Sequence, residues 1–424
     1  MKLALKQTEA VNASVDVQQR VVAVTGAAGT GKTTIIKTVY DQLQKAGYSI
    51  ALAAPTGKAA KRIYEATGID ALTVHRLLEY SHPGDPDPKT GKPIGVSMPK
   101  RTRQNPLEYD FVFVDEAAMI SWELHRNIFD SLPPGGCVRL FGDDNQLAPV
   151  EEDKRLRESP SPFLTILNNP KFTSVILDIV YRQGEDSGVL LNAQQILKGR
   201  YPAKNEQWSQ VITSKPIEAI RDYILESLDN DINFAEIENQ IIVPQNTTWV
   251  GTRKLNSMIQ GLFHSERDPC LWIDRHSWVE GEGGVKGGKI KVYVGDKVIV
   301  TSNLYDLGVF NGETGKIIEI NDDTGEIVID FGDREQSIPP VLLVQTSSGR
   351  TASIDPRKHV DLAYAITTHK SQGSEFKRVV YLLNKSNTFT INRRNFYTAI
   401  TRAREHVHLI ADQQGLAAAI TKRN

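Results

Sequence analysis

The sequence predicts an α/β protein of two doubly wound parallel-sheet domains, the first carrying a small inserted hairpin or pin, the second interrupted by a small β-barrel. Three observations carry this. Short apolar runs alternate with helical stretches over the first 150 residues. A Pro-, Gly- and Lys-rich stretch between Tyr80 and Pro106 breaks the alternation. From Tyr293 to Gly349 the texture turns to short β-rich runs before α/β texture returns.

In order, VVAVTG (Val21 to Gly26) is nearly continuously apolar, as a strand buried on both faces of a parallel sheet must be. A helix follows from Lys32 to Lys45, then the strand SIALAAP and a helix from Gly57 to about Thr67. FVFVDEA (Phe111 to Ala117) and VRLFGDD (Val138 to Asp144) are further buried strands, each ending in acids. Strands separated by helices imply a doubly wound sheet, and such sheets bind ligands beyond the carboxyl ends of their strands. The stretch SHPGDPDPKTGKPIGVSMPKRTRQNP is too long for an idle connection and reads as an insertion at 79–106. VYVGDKVIVTSN, TGKIIEIN, GEIVIDFG and VLLVQTSSG, separated by Asn-Gly, Asp-Asp and Gly turns, read as the barrel at 293–349. The first domain is thus expected at 1–170 and the second at 171–292 and 350–424. A chain of 424 residues is long enough for all three bodies.

Hydrophobic residues make up 40% and charged residues 24%, ordinary values for a soluble protein. No apolar run approaches the roughly eighteen residues of a membrane span, and MKLALKQTEA has no signal-peptide core. A cytoplasmic protein without membrane partners is expected. Cys137 and Cys270 form no metal or redox spacing, which suits a reducing compartment. The net charge of −1 gives no bulk attraction to phosphates, so any nucleic-acid contact must be local. Two stretches are locally basic. One runs from Lys89 to Arg103 with Lys92, Lys100 and Arg101; the other from Lys377 to Arg404 with Arg378, Lys385, Arg393, Arg394 and Arg402.

GAAGTGKT (Gly26 to Thr33) matches the phosphate-binding loop G-x-x-x-x-G-K-[ST], between a predicted strand and a predicted helix. Its glycines let main-chain N–H groups wrap phosphates at a helix N-terminus. Lys32 would reach the β- and γ-phosphates of ATP, and the Thr33 hydroxyl would ligate Mg²⁺. Asp115 and Glu116 supply the two carboxylates an ATPase needs, one for the metal through water and one to orient and deprotonate the attacking water. Gln146, in GDDNQLAPV, is placed to sense the γ-phosphate. Arg182 in LDIVYRQ and Arg402 in YTAITRARE are candidates for stabilising phosphoryl-transfer charge.

The order and wording of these segments resemble superfamily 1 helicases of the RecD-like and Dda-like 5′-to-3′ branch, superfamily 1B. The matching segments are LKQTEAV, GAAGTGKTT, AAPTGKAA, TVHRLL, FVFVDEAAM, GDDNQLAPV, LDIVYRQ, IIVPQNTTWVGTRKLN, VFNGETGKI, AITTHKSQGSEF and YTAITRARE, which run from Leu5 to Glu405. The resemblance implies two RecA-like motor domains, a strand-splitting pin, and a Src-homology-3-like barrel lining the strand path. It places Gly26, Gly29, Thr30, Gly31, Lys32, Thr33 and Thr34 around the nucleotide phosphates, Gln7 on the adenine, Tyr181 near the base and Glu375 by the ribose or the closing cleft. Arg182 and Arg402 would reach the γ-phosphate from the second domain. Pro55, Thr56, His75 and Arg76 would touch the nucleic-acid strand on the first domain, and Thr368, His369, Lys370 and Ser371 on the second.

The implied activity is ATP-dependent translocation along single-stranded DNA and unwinding of duplex junctions, by a protein active as a monomer, with replication or recombination proteins as partners. Two departures stand out. Asp178 and Ile179 occupy positions where the family more often has Thr or Glu nearby, and the pin shows no evident aromatic wedge. The chain starts just before Gln7, so the N-terminal domains that join larger members to a nuclease complex are expected to be absent. A non-motor P-loop switch is the alternative from another class, against which the strand-gripping THKSQGSE segment speaks. An RNA-directed helicase of the same superfamily is the other.

Overall fold

A computed structural model of the chain describes residues 3–80, 98–149, 151, 153, 155–156, 159–179, 187–265, 268–275, 288–345 and 351–422. They form two compact units that meet in sequence after Asp186.

The first unit contains β1 (Val21–Gly26), β2 (Ile50–Ala54), β3 (Leu72–Thr73), β4 (Phe111–Val114), β5 (Cys137–Gly142) and β6 (Thr173–Leu177). All pair in parallel, in the order β3-β2-β4-β5-β1-β6. Its helices are α1 (Leu5–Val15), α2 (Lys32–Lys45), α3 (Gly57–Thr67), α4 (Val74–Leu77), α5 (Trp122–Asp130) and α6 (Pro162–Leu167). Alternate side chains of each strand point to opposite faces, and here both faces are covered. Val22, Val24, Phe111, Phe113 and Phe141 pack with α1, α2 and α3 on one side. Ala23, Val112, Val114, Val138 and Leu140 pack with α4, α5 and α6 on the other. That is why these strands read as unbroken apolar runs. Helix starts follow local chemistry: Thr56, Ser121 and Ser161 each accept a main-chain N–H as the N-cap of α3, α5 and α6.

The expected boundary at 170/171 is corrected by β6. Its five residues pair with β1 in parallel, Val22 to Gly26 against Thr173 to Leu177, and Val175 and Leu177 join the first core. Asn168, Asn169 and Pro170 mark only the turn that enters this edge strand.

The second unit opens with α7 (Gly188–Leu197), β7 (Trp208–Ile212), α8 (Pro216–Asp229), β8 (Asn239–Val243) and α9 (Thr252–Phe263). The chain then leaves through β9 (Leu271–Arg275), β10 (Gly288–Val292), β11 (Lys297–Val300), β12 (Thr314–Ile320), β13 (Ile327–Asp330), β14 (Glu335–Ile338), β15 (Leu342–Gln345), β16 (Thr351–Ile354) and β17 (Val360–Leu362). It returns with β18 (Ala365–Thr367), α10 (Thr368–Ser371), β19 (Phe376–Leu383), α11 (Arg393–Ile400), β20 (Ala403–Ala411) and α12 (Gln413–Thr421). The parallel sheet of this unit runs β18-β8-β19-β20-β7. Its two faces are buried under α7, α11 and α12 on one side and α8 and α9 on the other.

The excursion is an antiparallel sheet of order β14-β13-β12-β11-β17, flanked by the hairpins β9–β10 and β15–β16. Its extent differs from the expected 293–349. Ile273 and Val292 lie in its core before that range, and Val360 after it, where β17 pairs with β11. The three residues of β17 precede a parallel strand with almost no connection, so the sequence texture hides the change of sheet. Most of the expected pin, 81–97, lies outside the described residues. The described residues on either side of it, Tyr80 and Pro99, form an isolated β-bridge.

Candidate nucleotide site and strand-contact residues

The loop after β1 turns through Gly29 (φ +83°) and Gly31 (φ +88°), backbone that a side chain resists. A Cβ on Gly26 would meet Thr30 Oγ1 at 2.6 Å and Leu177 Cβ at 2.9 Å, so this glycine is required by close packing. Thr30 is buried, its hydroxyl donating to the Ala27 carbonyl at 2.9 Å. Lys32, the first residue of α2, folds back: its Nζ donates to the Gly26 and Ala27 carbonyls at 2.7 and 3.1 Å. Thr33 is half-buried and Thr34 exposed in the same turn. Gln7 reaches the loop from α1, its Nε2 donating to the Thr30 carbonyl at 3.1 Å while its Oε1 accepts from Ala4 N. The side-chain amide expected on the adenine thus braces the loop itself.

Asp115 follows β4 and is half-buried. Burial and the neighbouring Glu116 charge push its carboxyl up to about 6, against the opposing pull of Lys32. Glu116 sits at φ +51°, ψ +38°, a left-handed conformation that costs a side-chain-bearing residue roughly 1–3 kcal/mol. Its Oε2 is buried with no hydrogen-bond partner, as is Oε1 of Gln146. The Asp115 carboxylate, an unpartnered Glu116 carboxylate oxygen and the Thr33 hydroxyl make an oxygen donor set that suits a hard divalent cation. Among the described residues no group of three His, Cys, Asp or Glu could hold a metal alone, so phosphate oxygens would have to complete the shell.

Gln146 follows β5 and is buried. Two residues earlier, Asp144 accepts from Thr25 Oγ1 at 2.7 Å, tying the end of β5 to the residue before the loop glycine. Thr25 and Asp144 were not singled out from the sequence. Their only signal there is that both sit at carboxyl ends of predicted strands.

Pro55 and Thr56 follow β2, and Thr56 Oγ1 is already occupied as the α3 cap. His75 and Arg76 are exposed on α4, and the His75 ring lies 4.7 Å from that of Tyr80. Tyr181 and Arg182 lie outside the described residues, as do Lys89 and Lys92. The guanidinium groups that remain of the first basic stretch are paired, Arg101 with Glu79 and Glu108 and Arg103 with Asp130.

In the second unit, Thr368 and Ser371 are completely buried. Thr368 Oγ1 donates to Asn395 Oδ1 at 3.0 Å and Ser371 Oγ to the Thr368 carbonyl at 2.7 Å. Their expected strand contacts are corrected on that ground: both hydroxyls hold α10 in place, while His369 is exposed and Lys370 half-buried. Lys370 lines a cavity of about 340 Å³ with Arg253, Lys358, His359, Thr301 and Ser302, between α9, α10 and the antiparallel sheet. Arg253 and Lys358 were not singled out from the sequence, although Arg253 lies in the quoted IIVPQNTTWVGTRKLN. Trp249, half exposed, and Phe389, 96% exposed, stand on the loops after β8 and β19 at the carboxyl end of this sheet.

Glu375 is half-buried in the turn before β19. Arg402 is buried at the end of α11. It donates to the Thr398 carbonyl at 3.0 Å, the Ser374 carbonyl at 3.4 Å and Thr401 Oγ1 at 3.4 Å. Its acceptors are neutral, and among the described residues no carboxylate offsets its charge.

Comparison with known proteins agrees with this arrangement. A family profile described as an AAA domain matches residues 2–212, and one described as a UvrD-like helicase C-terminal domain matches 362–410. The ATP-dependent RecD2 DNA helicase of Deinococcus radiodurans is 30% identical over 389 residues, covering 91% of this chain and 46% of that protein. The RecBCD enzyme subunit RecD of Mycolicibacterium smegmatis is 28% identical, covering 97% and 72%. The chain therefore spans about half the length of the first relative and 72% of the second. Among solved structures, a Bacteroides Pif1 helicase in complex with ADP-AlF3 and ssDNA superposes with a TM-score of 0.59 at 21% identity, over 99% of this chain and 94% of that one. Pif1 helicase of Candida albicans gives 0.57 at 17%, over 98% and 97%. No helix among the described residues is long and apolar enough to cross a membrane.

Proposed function

Since this chain belongs to the RecD-like branch of superfamily 1B helicases, we propose that it is a cytoplasmic ATP-dependent DNA helicase moving 5′ to 3′ on single-stranded DNA. The observation that carries the reading is the phosphate loop at the end of β1 with the adjacent carboxylates of Asp115 and Glu116 at the end of β4, one Glu116 oxygen buried without a hydrogen-bond partner. On ATP binding Lys32 exchanges its two loop carbonyls for phosphate oxygens. Main-chain N–H groups and the α2 N-terminus favour the anion. Thr33 and Asp115 would hold Mg²⁺, which would supply positive charge against the nucleotide phosphates. Glu116 orients the attacking water and takes its proton, and Gln146 registers the γ-phosphate. Arg402, charged without an acid partner, supplies positive charge to the transferring phosphoryl group. Arg182 acts likewise, Tyr181 and Gln7 flank the base, and Glu375 sits by the ribose.

The strand runs over Pro55, Thr56, His75 and Arg76 on the first unit and over His369, Lys370, Arg253 and Lys358 on the second. Trp249 and Phe389 offer stacking faces to bases. Such contacts read no sequence and weaken with salt. The antiparallel sheet acts as the Src-homology-3-like module lining the strand, and 79–106 as the pin at a duplex junction. The protein works as a monomer alongside replication or recombination proteins. The test is ATP-dependent unwinding of two partial duplexes, one with a 5′ and one with a 3′ single-stranded tail, with Lys32→Ala as blank. Opening of the 5′-tailed duplex alone is expected; opening of neither, with no stimulation of ATPase by single strands, removes the motor and leaves an ATP-binding switch. RNA strands stimulating at least as well as DNA would move the substrate to RNA.

A further inference from the structure

We propose that α5 is the lever through which the state of the nucleotide site reaches the strand-contact helix α4, with Glu151, Asn127 and Tyr80 as its positioning residues. The inference rests on the motor reading above. α5 is joined to the chemistry twice. By chain continuity it starts at Trp122, six residues after Glu116, through the tight turn Ala117–Met119 and the Ser121 cap. By contact, Glu151, five residues after Gln146 in the chain, is a buried carboxylate whose Oε1 accepts the N–H of Trp122 at 3.0 Å. A carboxylate over a helix N-terminus is favoured by both the N–H groups and the helix dipole. Movement of the Gln146 loop therefore pulls on the first turn of α5.

The helix passes that displacement on as a unit. Leu124 and Ile128 pin its inner face in the core with Val112, Val114 and Leu140. At its outer end Asn127 Nδ2 donates to the Tyr80 hydroxyl at 2.7 Å, and the Tyr80 ring lies against His75 at 4.7 Å between centroids. Glu123, one turn earlier on α5, is close enough for its charge to act on both His75 and Tyr80. Tyr80 also bridges to Pro99. One residue thus meets α5 through its hydroxyl, the strand-contact helix through its ring and Pro99 through its backbone. Asn127 and Glu151 are assigned neither to the nucleotide nor to the single strand, and Tyr80→Phe leaves the backbone of the insertion as it is.

The decisive quantity is the factor by which a non-hydrolysable ATP analogue changes the affinity of the full chain for a labelled oligothymidylate. Coupling factors between linked sites usually fall at about 5–150, and the wild-type protein is expected in that range. Tyr80→Phe keeps the ring and removes only the hydroxyl; Asn127→Ala removes its partner. Each should bring the factor to within about twofold of one, and the double variant should lose no more than either single change. Nucleotide-free strand affinity and strand-free ATPase should stay near wild type, and Glu151→Gln should behave in the same direction. If Tyr80→Phe and Asn127→Ala keep the wild-type factor, α5 is not the lever. If they lose basal ATPase as much as coupling, the contacts are merely structural and the proposal also falls. A wild-type factor of one would instead overturn the motor reading.

Discussion

Thr25 and Asp144 are tied twice, the Thr25 hydroxyl donating to Asp144 Oδ1 at 2.7 Å and accepting from Asp144 N at 3.2 Å. One residue precedes the first glycine of the phosphate loop, and the other lies two residues before Gln146. The pair ties the glycine loop after β1 to the segment after β5 that carries Gln146.

Thr25→Val keeps the shape of the side chain and leaves the half-buried Asp144 carboxylate without that donor. A loss of about 1–3 kcal/mol in urea unfolding is expected, with ATPase reduced. Unchanged stability would mean that water replaces the hydroxyl at no cost.

Arg402→Ala should keep nucleotide affinity, measured with a fluorescent analogue, and lose turnover by about 10³-fold or more. A retained rate would remove Arg402 from the phosphoryl-transfer step. Its bonds to the Thr398 and Ser374 carbonyls also predict some loss of stability, so the comparison needs thermal melts of both proteins.

Burial holds the His125 imidazole at about 4, below the ordinary 6.5, opposed by the nearby Ile120 and Ser121 main chain. Neither ring nitrogen has a hydrogen-bond partner. The unfolded chain takes up a proton near pH 6.5 that the native state refuses until about 4. Stability from this group is therefore complete above 6.5 and lost as pH falls toward 4, by up to about 3 kcal/mol. His125→Leu should flatten that acid limb in unfolding curves at pH 7 and pH 5, and the same steep limb in the variant would assign it to other groups.

Arg253→Ala and Lys370→Ala should each weaken single-strand binding uniformly across sequences. Each should also reduce the slope of log affinity against log salt by about one, as removal of a phosphate contact does. A fall in affinity with an unchanged slope would place these cations outside the strand path.

What could be read from the sequence was chemistry compressed into short segments. The phosphate loop, Asp115–Glu116 and both helices after β1 and β2 lie where the residues imply, because strand, turn glycine and helix start are neighbours in the chain. Contacts between distant segments were not legible. Thr25 meets Asp144 across 119 positions, and Arg139, buried in β5, donates to the carbonyls of Ser14, Asp16 and Gln19 across more than that. Facing was equally hidden. THKS is spelled with four polar residues, yet the helix turns Thr368 and Ser371 into the core and leaves His369 outside. The β6 edge strand was missed for a similar reason: its partner β1 is about 150 residues earlier, and its own sequence carries no sign of which sheet it will join.

Each excursion from a parallel sheet is held by a backbone pairing, although the second leaves its sheet earlier, at β9. Tyr80 is bridged to Pro99, and β11 is paired with β17, Val298 opposite Leu362. Closing a loop of twice the length costs only about 0.6 kcal/mol more when its ends are already held together. Each excursion is thus a cartridge that can be shortened, lengthened or exchanged without reworking the sheet beneath it. Under the proposed function, variants grafted at those two seams would change the inserted segments and leave the two parallel sheets untouched.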